Sequence, residues 1–387
     1  MLKKLLPILC FALFAILPGQ SKAQTDGRDV LIIWSDGDLW SWSEADGITR
    51  LTNDGYHYSL DRSPDGRYLV YTALDALMLE AFERKDVYPI EIDLTNIRLY
   101  DLQTGESVEI AGQPAEAVYN RDEMIGYARF NPCWSPDGSK IAWIQIPRGM
   151  ADRSGWQIAI YDVAQGVTEV VADHLPGPFG DAGLIGMIGL QWESVGLITD
   201  TFGGTDDNFF GQTLRLYDEQ GTFLAQHYVT TVSELRGWFW SEDEATIIGY
   251  GTEYETSRTG HFRADPFAPR DETMLPDSVV VTVVRSAPDQ LAYYALDDST
   301  ETSIHWWMLG ADTVYELIGG PYQPRRIAIH PDGQRLAYVT DVIYIWEDGE
   351  TQPIPDTEQF AAPYSMLIWG DTTGVLIDRD ELPFVLE

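Results

Sequence analysis

The stretch "ARFNPCWSPDGSKIAWIQ", residues 128–145, holds an apolar run, a Ser135-Pro136-Asp137-Gly138 corner and a second run in which apolar residues alternate. An Asp beside a Ser invites a catalytic reading, but backbone chemistry accounts for all four residues. Pro presets φ at the second turn position, Asp bonds its own downstream backbone, and Gly accepts a positive φ. Two strand-like runs joined by such a corner form an antiparallel hairpin. The chain then repeats itself. The corner recurs as Ser63-Pro64-Asp65-Gly66 and His330-Pro331-Asp332-Gly333, with a decayed copy at Ala287-Pro288-Asp289-Gln290. Recurrence in one flanking context makes it a structural corner, not an active site.

A short apolar strand follows each corner: "RYLVYTA", "SKIAWIQ", "QRLAYVT" and "LAYYALD". A second element, "IRLYDLQTG", "IAIYDVAQG" or "LRLYDEQG", turns at Gly105, Gly166 and Gly221, and a third short strand completes the unit. Each unit therefore reads as four antiparallel strands, A to D, with the corner joining A to B. Alignment on the corner places seven A strands, starting near 57, 129, 187, 235, 281, 324 and 364, with Trp134, Trp192, Trp240 and Trp369 at one shared position. The N-terminal piece "VLIIWSDGDLWSWSEADGITRLT" matches only strands B to D, and "YSMLIWG" near the C-terminus is a strand to spare. A ring closed by that last strand leaves no exposed sheet edge between its ends. The expected fold is all-β: a propeller of seven four-stranded blades, with six or eight as alternatives.

These corners, each followed by a strand, resemble the repeats of TolB-type β-propellers. Similar propellers form the N-terminal domain of prolyl oligopeptidase and dipeptidyl peptidase enzymes. The resemblance spans residues 24–387 and is strongest in the units beginning at 57, 129 and 324. It implies fold and leaves function open, because propellers host many unrelated activities.

Residues 1–23 read as a cleaved signal peptide. Lys3 and Lys4 precede an apolar run, and Ser21-Lys22-Ala23 supplies small residues for cleavage before Gln24. Leu9 stands where a lipoprotein signal at Cys10 needs a small residue, and no later stretch is apolar enough to span a bilayer. The expectation is an exported, periplasmic or extracellular protein, monomeric and consisting of one propeller domain, 24–387. The net charge of −36 becomes more negative once the leader's lysines are lost, which repels nucleic acid and anionic lipid. Cys133 is then the one cysteine left, so no intramolecular disulfide forms.

Chain topology sorts the connections. A–B corners and C–D turns lie on one face of the ring, B–C and D–A connections on the other. The long connections, residues 76–95, 146–155, 203–210, 113–127 and 174–185, all belong to the second face, where binding residues on a rigid scaffold gather. Alignment puts His57, Arg129, Arg236, Arg325 and Arg326 within three positions of the channel entrance on that face. Two readings of these groups stay open: a ring that binds anions or carboxylates through forked guanidinium groups, or arginines paired with some of the 61 acids. No Gly-x-Ser-x-Gly elbow or α/β segment supports a hydrolase triad, and no Cys or His spacing suggests zinc. The acidic loops "SDGDLW" and "GGTDDNFF" lack the spacing of an EF-hand. No catalytic residue, metal or cofactor is expected. The leading expectation is a non-catalytic propeller that binds a protein, peptide or other extracellular ligand. Its rival is a carbohydrate- or peptide-processing enzyme with a carboxylate-lined site.

Overall fold

The computed structural model describes residues 29–53, 57–88, 94–149, 155–175, 188–204, 210–241, 245–253, 259–274, 279–280, 283–287, 290–296, 302–308, 314–319, 327–330, 335–361, 365–369 and 377–378. Among them the strands form seven antiparallel sheets of four or more strands and one two-stranded pair. Each large sheet runs A-B-C-D in spatial order, with a fifth strand beside A in the third sheet, and in all but the first sheet strands adjacent in sequence are adjacent in space. The inner strands of sheets two to seven are His57–Arg62, Met124–Trp134, Ile188–Glu193, Val232–Ser241, Val283–Ala287 and Ile327–Ile329. Inner strands touch those of the next sheet: 57–62 meets 124–134, which meets 188–193, and 327–329 lies between 283–287 and 366–368. The chain is a β-propeller, with those strands around its axis.

The first sheet is built from both ends of the chain. Leu31–Ser35, Asp38–Ser43 and Gly47–Arg50 supply three strands, and Met366–Ile368 supplies the fourth, in register Ile32 with Ile368, Ile33 with Leu367 and Trp34 with Met366. The Ser35 and Ser365 hydroxyls meet at 3.1 Å. Arg62 of the second sheet donates to Val30 O at 3.0 Å and Trp369 O at 2.6 Å. Trp369, 1% exposed, packs edge-on against Trp42 and His330, so three sheets converge on it.

The corners behave as hairpin chemistry requires. Ser135 Oγ donates to Asp137 at 2.7 Å and accepts the Lys140 amide at 2.9 Å, Asp137 accepts the Ser139 amide, and Gly138 sits at φ +71°. Ser63, Asp65, Tyr68 and Gly66 reproduce the pattern. Bonds from Ser135 and Ser139 hold the Asp137 carboxyl down at about 2. The Asp36-Gly37 step of "SDGDLW" is a two-residue hairpin turn with both φ values positive, and the Asp38 carboxylate meets Arg50 and Thr52.

The core lies between sheets. Val70 and Ile97 of the second sheet pack on Trp134, Ile141 and Trp143 of the third. Ile144, Ile146 and Ile158 on the third sheet's other face meet Leu190, Trp192 and Leu197 of the fourth. Trp134, Trp192, Trp240 and Trp369 are all buried, as their shared position predicts.

Three readings of the connections change. Residues 76–95 contain an α-helix, Ala76–Arg84, rather than strandless loop alone. The third inner strand begins at Met124, not 129, because a short strand at Val118–Tyr119 pairs with Met124 and Ile125 and lengthens it. The connection read as 174–185 starts later, because His174 and Leu175 still belong to the strand Val167–Leu175.

Candidate functional site

The helix Ala76–Arg84 exists because Asp75 caps it, accepting the Leu77 amide at 2.9 Å, and because Met78 and Ala81 fall on one apolar face. Lys85 ends it in the left-handed region at φ +55°. That face packs with Leu74 and Leu94 against Tyr119 and Met124 of the lengthened hairpin. A B–C connection of the second sheet and a D–A connection of the third thus form a small cap on the loop face.

Beneath the cap a layer of polar side chains crosses from the second sheet to the third. Asn96 Nδ2 donates to Asp75 at 2.8 Å and to Glu109 at 2.9 Å, and its carbonyl accepts from Gln113. Gln113 also bridges the Thr95 and Tyr127 carbonyls and accepts the Tyr127 amide. Thr95 Oγ1 exchanges 2.6 Å bonds with the Arg129 backbone. The Arg129 guanidinium donates to Thr95 O at 3.1 Å and to Gln145 at 3.3 Å, and lies 4.7 Å from the Tyr127 ring centroid. From Gln145 the chain continues through Gln157 to the exposed Asp173.

Arg129 is 6% exposed. Among the described residues no carboxylate lies within ion-pairing distance of it. Burial lowers its pKa to about 10, opposed by the more distant charges of Glu109 and Asp75, so it is a cation at neutral pH. Buried charges are normally paired; here neutral acceptors and one aromatic face substitute for a counter-ion.

The five expected binding groups fare differently. Arg129 lies in mid-strand, under the cap, rather than at the entrance, because the inner strand starts five residues early. His57 opens its strand, opposite Ala73, and Arg236 lies at an irregularity between Leu235 and Gly237; their side chains fall outside the described residues. Arg325 and Arg326 fall outside them altogether. Unforeseen were Thr95, Asn96, Gln113, Gln145 and Gln157. Gln145 and Gln157, each set in an otherwise apolar strand, were the available signal.

One further carboxyl stands apart. Asp200, on the fourth sheet's second strand, accepts from Gln212 and, at 3.0 Å, from Trp238 Nε1 of the fifth sheet's inner strand. Burial raises it to about 6 although both bonds pull the other way. Its cross-strand partner is Gly189, which leaves that side of the inner strand without a side chain.

No protein-family model matches the chain, and no curated protein matches it in sequence. Solved structures resemble it in fold. An oligogalacturonate lyase from Vibrio parahaemolyticus is 11% identical, with 83% of this chain and 91% of that one covered, at a TM-score of 0.49. TolB from Acinetobacter baumannii is 13% identical over 88% of this chain and 66% of its own, at 0.39. An acylaminoacyl peptidase is 15% identical at 0.44; the alignment takes in 77% of this chain and 45% of the peptidase. Among the described residues no helix is long and apolar enough to cross a membrane.

Proposed function

We propose that residues 24–387 form a single exported, non-catalytic propeller, monomeric in the periplasm or outside the cell, that binds a protein, peptide or other extracellular ligand on its loop face through an acidic group. The observation that carries this reading is Arg129: a buried cation, fixed by Thr95 and Gln145, without an ion-pair partner among the described residues. A guanidinium held in place by neutral acceptors is ready for a carboxylate, and desolvation strengthens that charge-assisted bond. The acidic surface keeps nucleic acid away. The second reading, carboxylate catalysis, gains little support from Asp75 and Glu109. Both meet Asn96, and Asp75 spends its other oxygen on the helix cap.

The test is capture of a ligand from periplasmic extract or culture supernatant by wild type and by Arg129→Lys and Arg129→Gln. Lys keeps the charge but not the fork; Gln removes both. Binding that falls from wild type through Lys to Gln, with melting nearly unchanged, supports the proposal. Undiminished capture by a folded Arg129→Gln protein overturns it. Unfolding of both variants makes Arg129 a structural partner of the polar layer and removes it from the binding face.

A further inference from the structure

The facing surfaces of the third and fourth sheets carry a second set of buried cations. Alternation along each strand decides which residues face which way. Ile144 and Ile146 pack on the fourth sheet, so Arg148, next in that series and 5% exposed, faces it too. On the fourth sheet Leu197 and Tyr217 pack on the third. Thr201, Thr213 and Arg215 therefore face the third sheet as well, on two strands paired Thr201 with Thr213. Arg215 is 8% exposed, and its one hydrogen bond among the described residues runs from Nη1 to Thr201 Oγ1 at 2.9 Å. The guanidinium thus reaches Thr201, whose cross-strand partner is Thr213. Thr213, 1% exposed, leaves its hydroxyl without a partner among the described residues. One step nearer the loop face, the same two strands pair Gly203 with Gly211, so at that register position neither strand adds a side chain beside the threonines.

We propose that the facing surfaces of the third and fourth sheets hold an anion site, separate from Arg129, that takes a small carboxylate. The Arg215 guanidinium supplies forked donors, the Thr213 hydroxyl supplies a further donor now unspent, and Arg148 adds positive charge from the opposite sheet. Buried hydroxyls are normally satisfied, and a guanidinium beside one matches a carboxylate in charge and geometry. The site does not rest on Arg129: its residues lie on the opposite side of the third sheet.

The experiment titrates the whole protein with acetate, succinate and, separately, phosphate, at ionic strength fixed with chloride, following melting temperature and heat of binding. Acetate or succinate should raise the melting temperature with concentration, as any ligand of the native state does, and Arg215→Gln in an Arg129→Gln background should abolish the rise. Thr213→Val should melt higher than wild type without ligand, because a buried unpaired hydroxyl is replaced by a methyl. The same variant should bind carboxylate about tenfold more weakly, the effect of one lost bond to a charge. Arg129→Gln should leave this response intact, which separates failure of this site from failure of the loop-face reading. No response to carboxylates, or an equal response in Arg215→Gln or Thr213→Val, overturns the site; a response to phosphate alone overturns the carboxylate assignment. Should Arg215→Gln fail to fold, Thr213→Val decides.

Discussion

Trp369 is where closure of the ring is most open to measurement. It is 1% exposed, touches the rings of Trp42 and His330, and its carbonyl accepts from Arg62. A buried Trp removes roughly 150–250 Å² from water, which at about 25 cal/mol per Å² is ~4–6 kcal/mol. The indole N–H is buried without a hydrogen bond among the described residues, and relieving that returns about 1–3 kcal/mol. Trp369→Ala should therefore cost about 3 kcal/mol, the lower end for Trp-to-Ala changes. Trp369→Phe keeps most of the contact and discards the unpaired N–H, so its cost should stay below about 1.5 kcal/mol. Equilibrium urea unfolding reads both: the midpoint moves with stability, and the slope falls if the first sheet melts separately. A shift under about 1 kcal/mol for Trp369→Ala, or equal shifts for Ala and Phe, would show that Met366–Ile368 decorates the first sheet without closing the ring.

Other outcomes follow from local chemistry. Asp200 is raised to about 6, so its contribution to stability is full in acid, below the ordinary carboxylate range, and is lost as pH rises through 6. The shift of about two units is worth at most ~3 kcal/mol, and Asn loses one acceptor worth ~1 kcal/mol. Asp200→Asn should accordingly stabilise the protein above pH 7 by about 1–2 kcal/mol and flatten its stability between about pH 4 and 6; no gain at pH 8 refutes the burial argument. Ser135→Ala removes the acceptor of the Lys140 amide and the donor to Asp137, and should cost about 1 kcal/mol in urea unfolding without changing ligand affinity. N-terminal sequencing of exported protein should begin at Gln24; a retained leader or an acylated Cys10 contradicts the export reading.

The corners were legible because their chemistry is local: Pro, Asp and Gly act on backbone within four residues, and Ser135 and Ser63 close the same bonds. Closure was legible because one end of the chain lacked a strand that the other possessed. The helix at Ala76–Arg84 was readable in principle, from a capping Asp75 and apolar positions on one face, but the long connection masked it. Arg129 was expected at the channel entrance and lies in mid-strand. Its depth depends on a hairpin at Val118–Tyr119 that no corner announces. Asp200 left no signal in the sequence at all, because its environment comes from Trp238, on the next sheet.

The pairing of Ile32 with Ile368 also governs when the molecule can first exist. Ser35 and Ser365 are 330 residues apart, and contacts of such separation are the slowest to form. Sheets two to six need only their own neighbours in sequence and can assemble as the chain emerges. Leu31–Ser35 must wait, with an unpaired edge, until Met366–Ile368 has been made. For that interval the nascent protein is a broken ring carrying a sticky strand in the first sheet, and whatever attends its synthesis has to keep that strand from the wrong partner.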